Sequence, residues 1–195
     1  MAAHTVTFPV TDPEEILKLR AGDEVTVQGH IIGIRDRTQI RIFDQGVEPP
    51  MDLSGAFLLH TAPGVRKLDN GRYEKICIGT TTSARMVRFT EPLGQQYGVR
   101  AICGKGGFPD EAIEPMRRLG MVYFAIVGGA AALETTQIEE IEEVMWEELM
   151  PECLWKFRVK DFGPLTVGID AHGNSLYRDV QTTAQEKLKE IYARL

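Results

Sequence analysis

The longest apolar run in the chain, residues 121–127 (Met-Val-Tyr-Phe-Ala-Ile-Val), stops at Gly128-Gly129. It is far shorter than the ~20 residues that a bilayer span needs, so it reads as a fully apolar strand closed by a turn. A second segment behaves in the same way: Val99-Arg100-Ala101-Ile102-Cys103 runs straight into Gly104-Lys105-Gly106-Gly107. Between the two, Asp110 is placed to cap a helix through Leu119 that Gly120 stops, with Pro115 expected to distort its first turns. Strand, helix and strand in succession predict a mixed α/β domain.

The flanking sequence extends that pattern. Asp12-Pro13-Glu14-Glu15 opens a short helix, with Asp12 as N-cap, Pro13 in the first helical position and Ile16, Leu17 and Leu19 on its apolar side. Residues 24–34 alternate as a strand and lead into an arginine-rich segment, 35–41. The glycines and prolines of 44–75 predict loops around one buried strand near 56–59, followed by a short strand at 75–78. In 134–149, Ile138, Ile141, Val144, Met145 and Leu149 recur at helical spacing with glutamates between them, so a helix with a solvated acidic face is expected. Trp155, Phe157 and Val159, then Leu165, Val167 and Ile169, alternate as strands, and 171–174 is a turn. Ala184, Leu188, Ile191, Tyr192 and Leu195 mark a final amphipathic helix. No repeat, linker or change of composition divides the chain, so 1–195 is read as one domain of about six to nine strands and three to five helices.

Composition narrows the function. At 195 residues, 43% hydrophobic and 26% charged, a core is attainable without disulfides or metal staples. Twenty-two basic side chains against 28 acidic leave a formal net charge of −6. A sequence-independent grip on nucleic acid or anionic lipid is therefore disfavoured, and any anion must be held by a local cluster of cations. Cys77, Cys103 and Cys153 show neither CxxC pairing nor zinc spacing, which reads as a reduced, intracellular chain with no metal site of its own. The start carries no basic n-region and no apolar h-region, so a cytoplasmic location is expected.

Three segments concentrate chemistry where a strand gives way to glycine or threonine: Arg35-Asp36-Arg37 with Arg41; Gly79-Thr80-Thr81-Thr82-Ser83-Ala84-Arg85-Met86; and Gly104-Lys105-Gly106-Gly107. Arginines offer bidentate carboxylate binding, the lysine a point charge, and hydroxyls or amides complete an anion pocket. Each has a plainer reading. Arg35 and Asp36 form a surface ion pair at a strand end, the threonines make a β edge or a helix cap, and 104–107 is a turn. The last is no Walker A loop, since Gly106 stands where Ser or Thr should follow the lysine. The four histidines are isolated and read as structural or solvated.

Taken in order with Gly128-Gly129-Ala130-Ala131-Ala132-Leu133, these motifs resemble the β subunit of the class I fumarase and L(+)-tartrate dehydratase family, over about residues 17–177. The resemblance implies a swivelling β/β/α fold, with the C-terminal helix (179–195) outside it. It also implies a hydro-lyase built from two units, with a [4Fe–4S] cluster held by cysteines of an α partner, no metal bound by this chain, and an α2β2 assembly. By similarity Arg35, Arg85 and Lys105 bind substrate carboxylates, Thr81 takes part in proton transfer, and Asp36, Thr82, Gly104 and Gly106 support them. Malate/fumarate is the first substrate expected and L(+)-tartrate the second. Gln39 stands where the family usually has histidine, Val87 where aspartate commonly follows Arg-Met, and Thr80 where Gly-Pro-Thr-Thr has proline. These departures raise two alternatives, a non-catalytic dicarboxylate-binding or assembly paralogue and a homo-oligomer whose cations form interface salt bridges.

Overall fold

The computed structural model describes residues 1–193, with Ala130 and Ala131 described by their backbone alone. Four strands run parallel in the order β2 (Glu24–Ile34), β3 (Phe57–His60), β6 (Ala101–Gly104) and β7 (Val122–Ala125). The sixteen-residue β9 (Leu154–Ile169) then pairs antiparallel with β7 and returns to pair antiparallel with β2, closing a five-stranded ring. β1 (Ala3–Phe8) adds parallel to β2 and β8 (Ile138–Met145) adds antiparallel to β9, while β4 (Gly64–Lys67) and β5 (Tyr73–Cys77) form a separate hairpin. Nine strands and five α-helices among the described residues make the single mixed α/β domain that the sequence predicts.

Both faces of the parallel strands are covered, which is why they read as continuous apolar runs. Phe57, Leu59, Ala101, Cys103, Val122 and Phe124 alternate into one core with Trp155, Phe157 and Phe162. Phe57 stacks on Phe124 at 5.6 Å and meets Phe8 edge-on at 5.2 Å. The intervening Leu58, Ile102 and Tyr123 face a second core formed with Ile42, Met86, Phe89, Leu93, Ile113 and Met116. Those residues come from α2 (Asp36–Phe43), the 3-10 turn Ala84–Phe89, α3 (Thr90–Tyr97) and α4 (Ile113–Leu119).

Local expectations hold in several places. β2 has the expected bounds, and Asp12 Oδ1 accepts the Glu14 amide at 3.0 Å to cap α1 (Glu14–Leu17). Others are corrected. Pro115 does not distort α4, because it occupies the first turn, where an amide would lack an intrahelical acceptor. Asp110 caps nothing; it opens a 3-10 turn, Asp110–Ala112, before the helix begins. The loops of 44–75 also contain β4, and the arginine-rich segment folds as α2 with Thr38, Gln39 and Ile42 buried.

The largest correction concerns 134–149, which is not a helix. Residues 130–137 form a 3-10 segment and Ile138–Met145 form β8. Two β-bulges explain the misleading period. The register steps from Ile138↔Val159 to Glu140↔Arg158, and again from Ile141↔Phe157 to Glu143↔Lys156, each time with two residues opposite one. Every bulge lengthens the apolar repeat from two to three, so Ile138, Ile141 and Val144 meet Val159, Phe157 and Trp155, which alternate normally on β9. The glutamates between them pair with basic side chains: Glu139 and Glu140 with Arg158, and Glu143 with Lys156 at 2.8 Å.

The last helix, α5 (Leu176–Tyr192), is capped by Ser175. Its apolar side is uncovered, with Val180, Leu188, Ile191 and Tyr192 between 47% and 69% exposed; Leu195 lies outside the described residues. Among the described residues no helix is long and apolar enough to cross a membrane.

The bulged pairing predicts that Ile141→Ala lowers stability by about 2–4 kcal/mol, while Glu139→Ala, on the exposed side, changes it by no more than about 0.5 kcal/mol. Urea denaturation of both variants checks this.

Candidate active site

Parallel strands in register end together. Ile34 pairs with His60, Leu59 with Cys103 and Gly104 with Ala125, so the residues that follow β2, β3, β6 and β7 emerge on one rim. Open α/β sheets place ligands at such carboxyl ends. Arg35 leaves β2, Lys105 leaves β6, and Gly128 follows β7. The segment 79–83 crosses between them, held by isolated bridges from Thr80 to Thr61 and from Thr82 to Lys105. Three stretches far apart in sequence thus meet at one place.

Arg35 and Arg85 converge on Asp36. Arg85 grips the carboxylate with two hydrogen bonds, Nε to Oδ1 at 2.7 Å and Nη2 to Oδ2 at 2.6 Å, and its Nη1 donates to the Thr82 carbonyl at 2.9 Å. Arg35 Nε reaches Asp36 Oδ2 at 3.2 Å and lies 3.8 Å from Glu152 Oε1. Partial burial pushes the pKa of Asp36 up, but the hydrogen bonds and charge of Arg85, helped by Arg35, outweigh it and hold Asp36 below the ordinary carboxylate value. Of the five guanidinium donors, Arg85 has three engaged, which leaves two, and its side chain is 44% exposed. Lys105, by contrast, has no ion pair among the described residues.

Close approach explains the glycines around Lys105. A Cβ on Gly104 would come 1.9 Å from Ser83 Oγ, and one on Gly128 would come 3.0 Å from Lys105 Cδ, so Gly128 makes room for the lysine stem. Backbone bonds tie the layers together: Ser83 N donates to the Lys105 carbonyl at 3.1 Å, Lys105 N to the Thr81 carbonyl at 3.2 Å, and Thr81 N to the His60 carbonyl at 2.8 Å. Thr80 and Ser83 are buried, Thr81 is half-buried and Thr82 is exposed. The threonine run therefore serves both as a β edge and as the entry to the turn Ala84–Phe89.

Residues 3–180 match the family model described as Fumarase C-terminus. The chain belongs to this family. It is 40% identical to the L(+)-tartrate dehydratase subunit beta of Escherichia coli strain K12 over 187 residues, 95% of this chain and 92% of that one. A putative L(+)-tartrate dehydratase subunit beta of Methanocaldococcus jannaschii is 36% identical over 190 residues, covering 95% and 97%. A putative fumarate hydratase class I of Geobacillus stearothermophilus is 36% identical over 188 residues, 96% of this chain but 36% of that protein.

The side chains at both departures lie with the second core, although the Gln39 amide donates to the Arg35 carbonyl at 3.0 Å. Gln39 is buried and donates to Met86 Sδ at 3.0 Å, and Val87 packs against the second core. The thiols do not fit an iron–sulfur cluster: Cys77 is exposed on β5, Cys103 lies buried in β6, and Cys153 precedes β9 with burial pushing its thiol up to about 11. Among the described residues no three His, Cys, Asp or Glu side chains are grouped to hold a metal.

Sequence reasoning missed two members of the site. Glu152 accepts the Arg37 amide at 2.9 Å and lies beside Arg35, with no sequence signal to mark it. His60 is 1% exposed and shares a hydrogen bond of 2.9 Å with Ser83 Oγ through Nδ1. Burial pushes its pKa down to about 3, so the ring stays neutral. Its position just past three apolar residues at a strand's carboxyl end, like that of Arg35 and Lys105, was the available signal.

Asp36 should show in the pH dependence of folding. A depressed carboxylate pKa stabilises above its unfolded value, about 3.9, and that stability is lost as pH falls through the folded value. Because Arg85 is 44% exposed, solvent screens the pair. Asp36→Asn is expected to cost about 1 kcal/mol at pH 7, with the difference from wild type shrinking below about pH 4 in urea denaturation.

Proposed function

We propose that this chain is the β subunit of a heteromeric iron–sulfur hydro-lyase that removes water from a small 2-hydroxy dicarboxylate, L(+)-tartrate ahead of malate. The observation that carries the reading is the meeting of Arg35, Arg85 and Lys105 on one rim, with Thr81 and Thr82 between them. The order of substrates reverses the expectation from sequence: relatives named as tartrate dehydratase β subunits align over nearly their whole length, whereas the fumarate hydratase relative is matched over 36% of its own. The cluster is assigned to an α partner, and the expected assembly is α2β2.

Dehydration breaks a C–H bond beside one carboxylate and a C–O bond on the next carbon, releasing a proton and hydroxide as water and leaving the electron pair in a new C=C bond. For tartrate the product is the enol of a keto dicarboxylate. The residues of this chain answer the charge changes. The two remaining donors of Arg85 suit one carboxylate bidentately, and Lys105 and Arg35 supply point charge for the other. As the C–H bond breaks, negative charge grows on the adjacent carboxylate, and fixed cations stabilise that growth more than they stabilise the ground state. Thr81 is assigned the proton, yet a threonine hydroxyl is a weak base. The group that takes the proton onward is assigned to the partner chain.

Co-expression with an α subunit under anaerobic conditions, followed by assays on L(+)-tartrate, malate and fumarate, tests this. Tartrate dehydration is expected to have the highest kcat/KM. Lys105→Ala and Arg85→Lys should each lower it by about 100-fold or more, since neither leaves the carboxylate contact intact. A cluster-loaded complex that turns over none of the three acids would overturn the reading.

A further inference from the structure

The segment that carries Thr81 and Arg85 is fastened at several points, and one of them is a buried histidine. His60, at the carboxyl end of β3, holds it with three contacts: its carbonyl accepts the Thr81 amide at 2.8 Å and Thr80 Oγ1 at 3.1 Å, and its ring Nδ1 meets Ser83 Oγ at 2.9 Å. Ser83 in turn donates its amide to the Lys105 carbonyl, and its hydroxyl occupies the space over Gly104 that a Cβ would fill. The imidazole and the Ser83 hydroxyl form a side-chain link between β3 and the end of this segment, while Thr61 Oγ1, donating to the Gly79 carbonyl at 2.6 Å, holds its start.

The other ring nitrogen has no such task. His60 Nε2 is buried and has no hydrogen-bond partner among the described residues. Burying an imidazole with one nitrogen idle carries a desolvation cost that an apolar side chain in the same place would avoid. Packing alone therefore does not account for histidine here, and a buried polar group kept at a cost calls for another explanation. Burial holds the ring neutral, so it brings no charge to the segment it touches.

We propose that His60 is a positioning residue: through its hydrogen bond to Ser83 it sets where Thr81 and Arg85 stand relative to Lys105. The inference rests on the hydro-lyase reading given above. It makes His60 and Ser83 one unit, so removing either loosens the same segment, and removing both does no further harm. Small displacements of reacting groups lower turnover steeply.

The test uses the complex with the α subunit and L(+)-tartrate, and compares His60→Leu, Ser83→Ala, the double variant and His60→Asn. His60→Leu and Ser83→Ala should each lower kcat about 10- to 100-fold with a smaller change in KM. The double variant should match the worse single, and His60→Asn, whose amide reaches the Nδ1 position, should recover most of the loss. Wild-type kcat in His60→Leu, or losses that multiply in the double variant, overturns the inference. Amide hydrogen exchange on the β chain alone separates it from the hydro-lyase reading. If the wild-type complex is inactive, faster exchange at Thr81 and Ser83 in His60→Leu, restored in His60→Asn, still supports the positioning role, and unchanged exchange at both amides overturns it.

Discussion

The backbone hydrogen bonds that return β9 to β2 are the constraint on which the rest of the structure depends. A parallel sheet needs cover on both faces, and four short parallel strands have little with which to provide it. By pairing with β7 at one end and β2 at the other, β9 turns the open sheet into a ring and fills its inner face with Trp155, Phe157 and Phe162. The outer face is left to the helices. Ring closure also fixes the direction and register of the strands, so their carboxyl ends form one rim and the chemistry of 35–36, 80–85 and 104–105 converges there.

On that rim an acidic protein assembles cations without letting them repel one another. Asp36 and Glu152 stand beside Arg35, and Asp36 occupies one edge of the Arg85 guanidinium. A pre-oriented guanidinium loses less rotamer entropy when it binds a carboxylate. On the hydro-lyase reading, Asp36 therefore acts less as a competitor for the cation than as the clamp that aims it.

Much of this was legible in the sequence because local and global order agree there. Residues 24–34 alternate as a strand and form one, 122–125 of the predicted apolar strand 121–127 are covered on both faces while Val127 is exposed, and the glycine and cation motifs mark strand ends. The signal failed where a local irregularity imitates another period. In 138–145 two bulges stretch a strand's repeat of two into three, close enough to a helix's spacing to mislead, and only pairing with β9 reveals it. In 35–43 the charged residues hide a helix whose buried side is Thr38, Gln39 and Ile42, polar enough to pass for a loop. His60 was overlooked because a lone histidine carries no partner in sequence; Ser83 lies 23 residues away.

The hydroxyl-rich segment bears on how such a site tells its substrates apart. Tartrate carries one more hydroxyl than malate, and a pocket that merely has room for an added hydroxyl discriminates weakly, whereas one that hydrogen-bonds it discriminates strongly. Of the four consecutive hydroxyls at 80–83, Thr80 and Ser83 are buried and engaged with His60. Thr82 is exposed and Thr81 half-buried, on the same rim as Lys105. The departures at Gln39 and Val87 face the core and leave that pair untouched. On the hydro-lyase reading, Thr81 and Thr82 are the hydroxyls of this run left for a second substrate hydroxyl to meet, while Thr80 and Ser83 are taken up by His60.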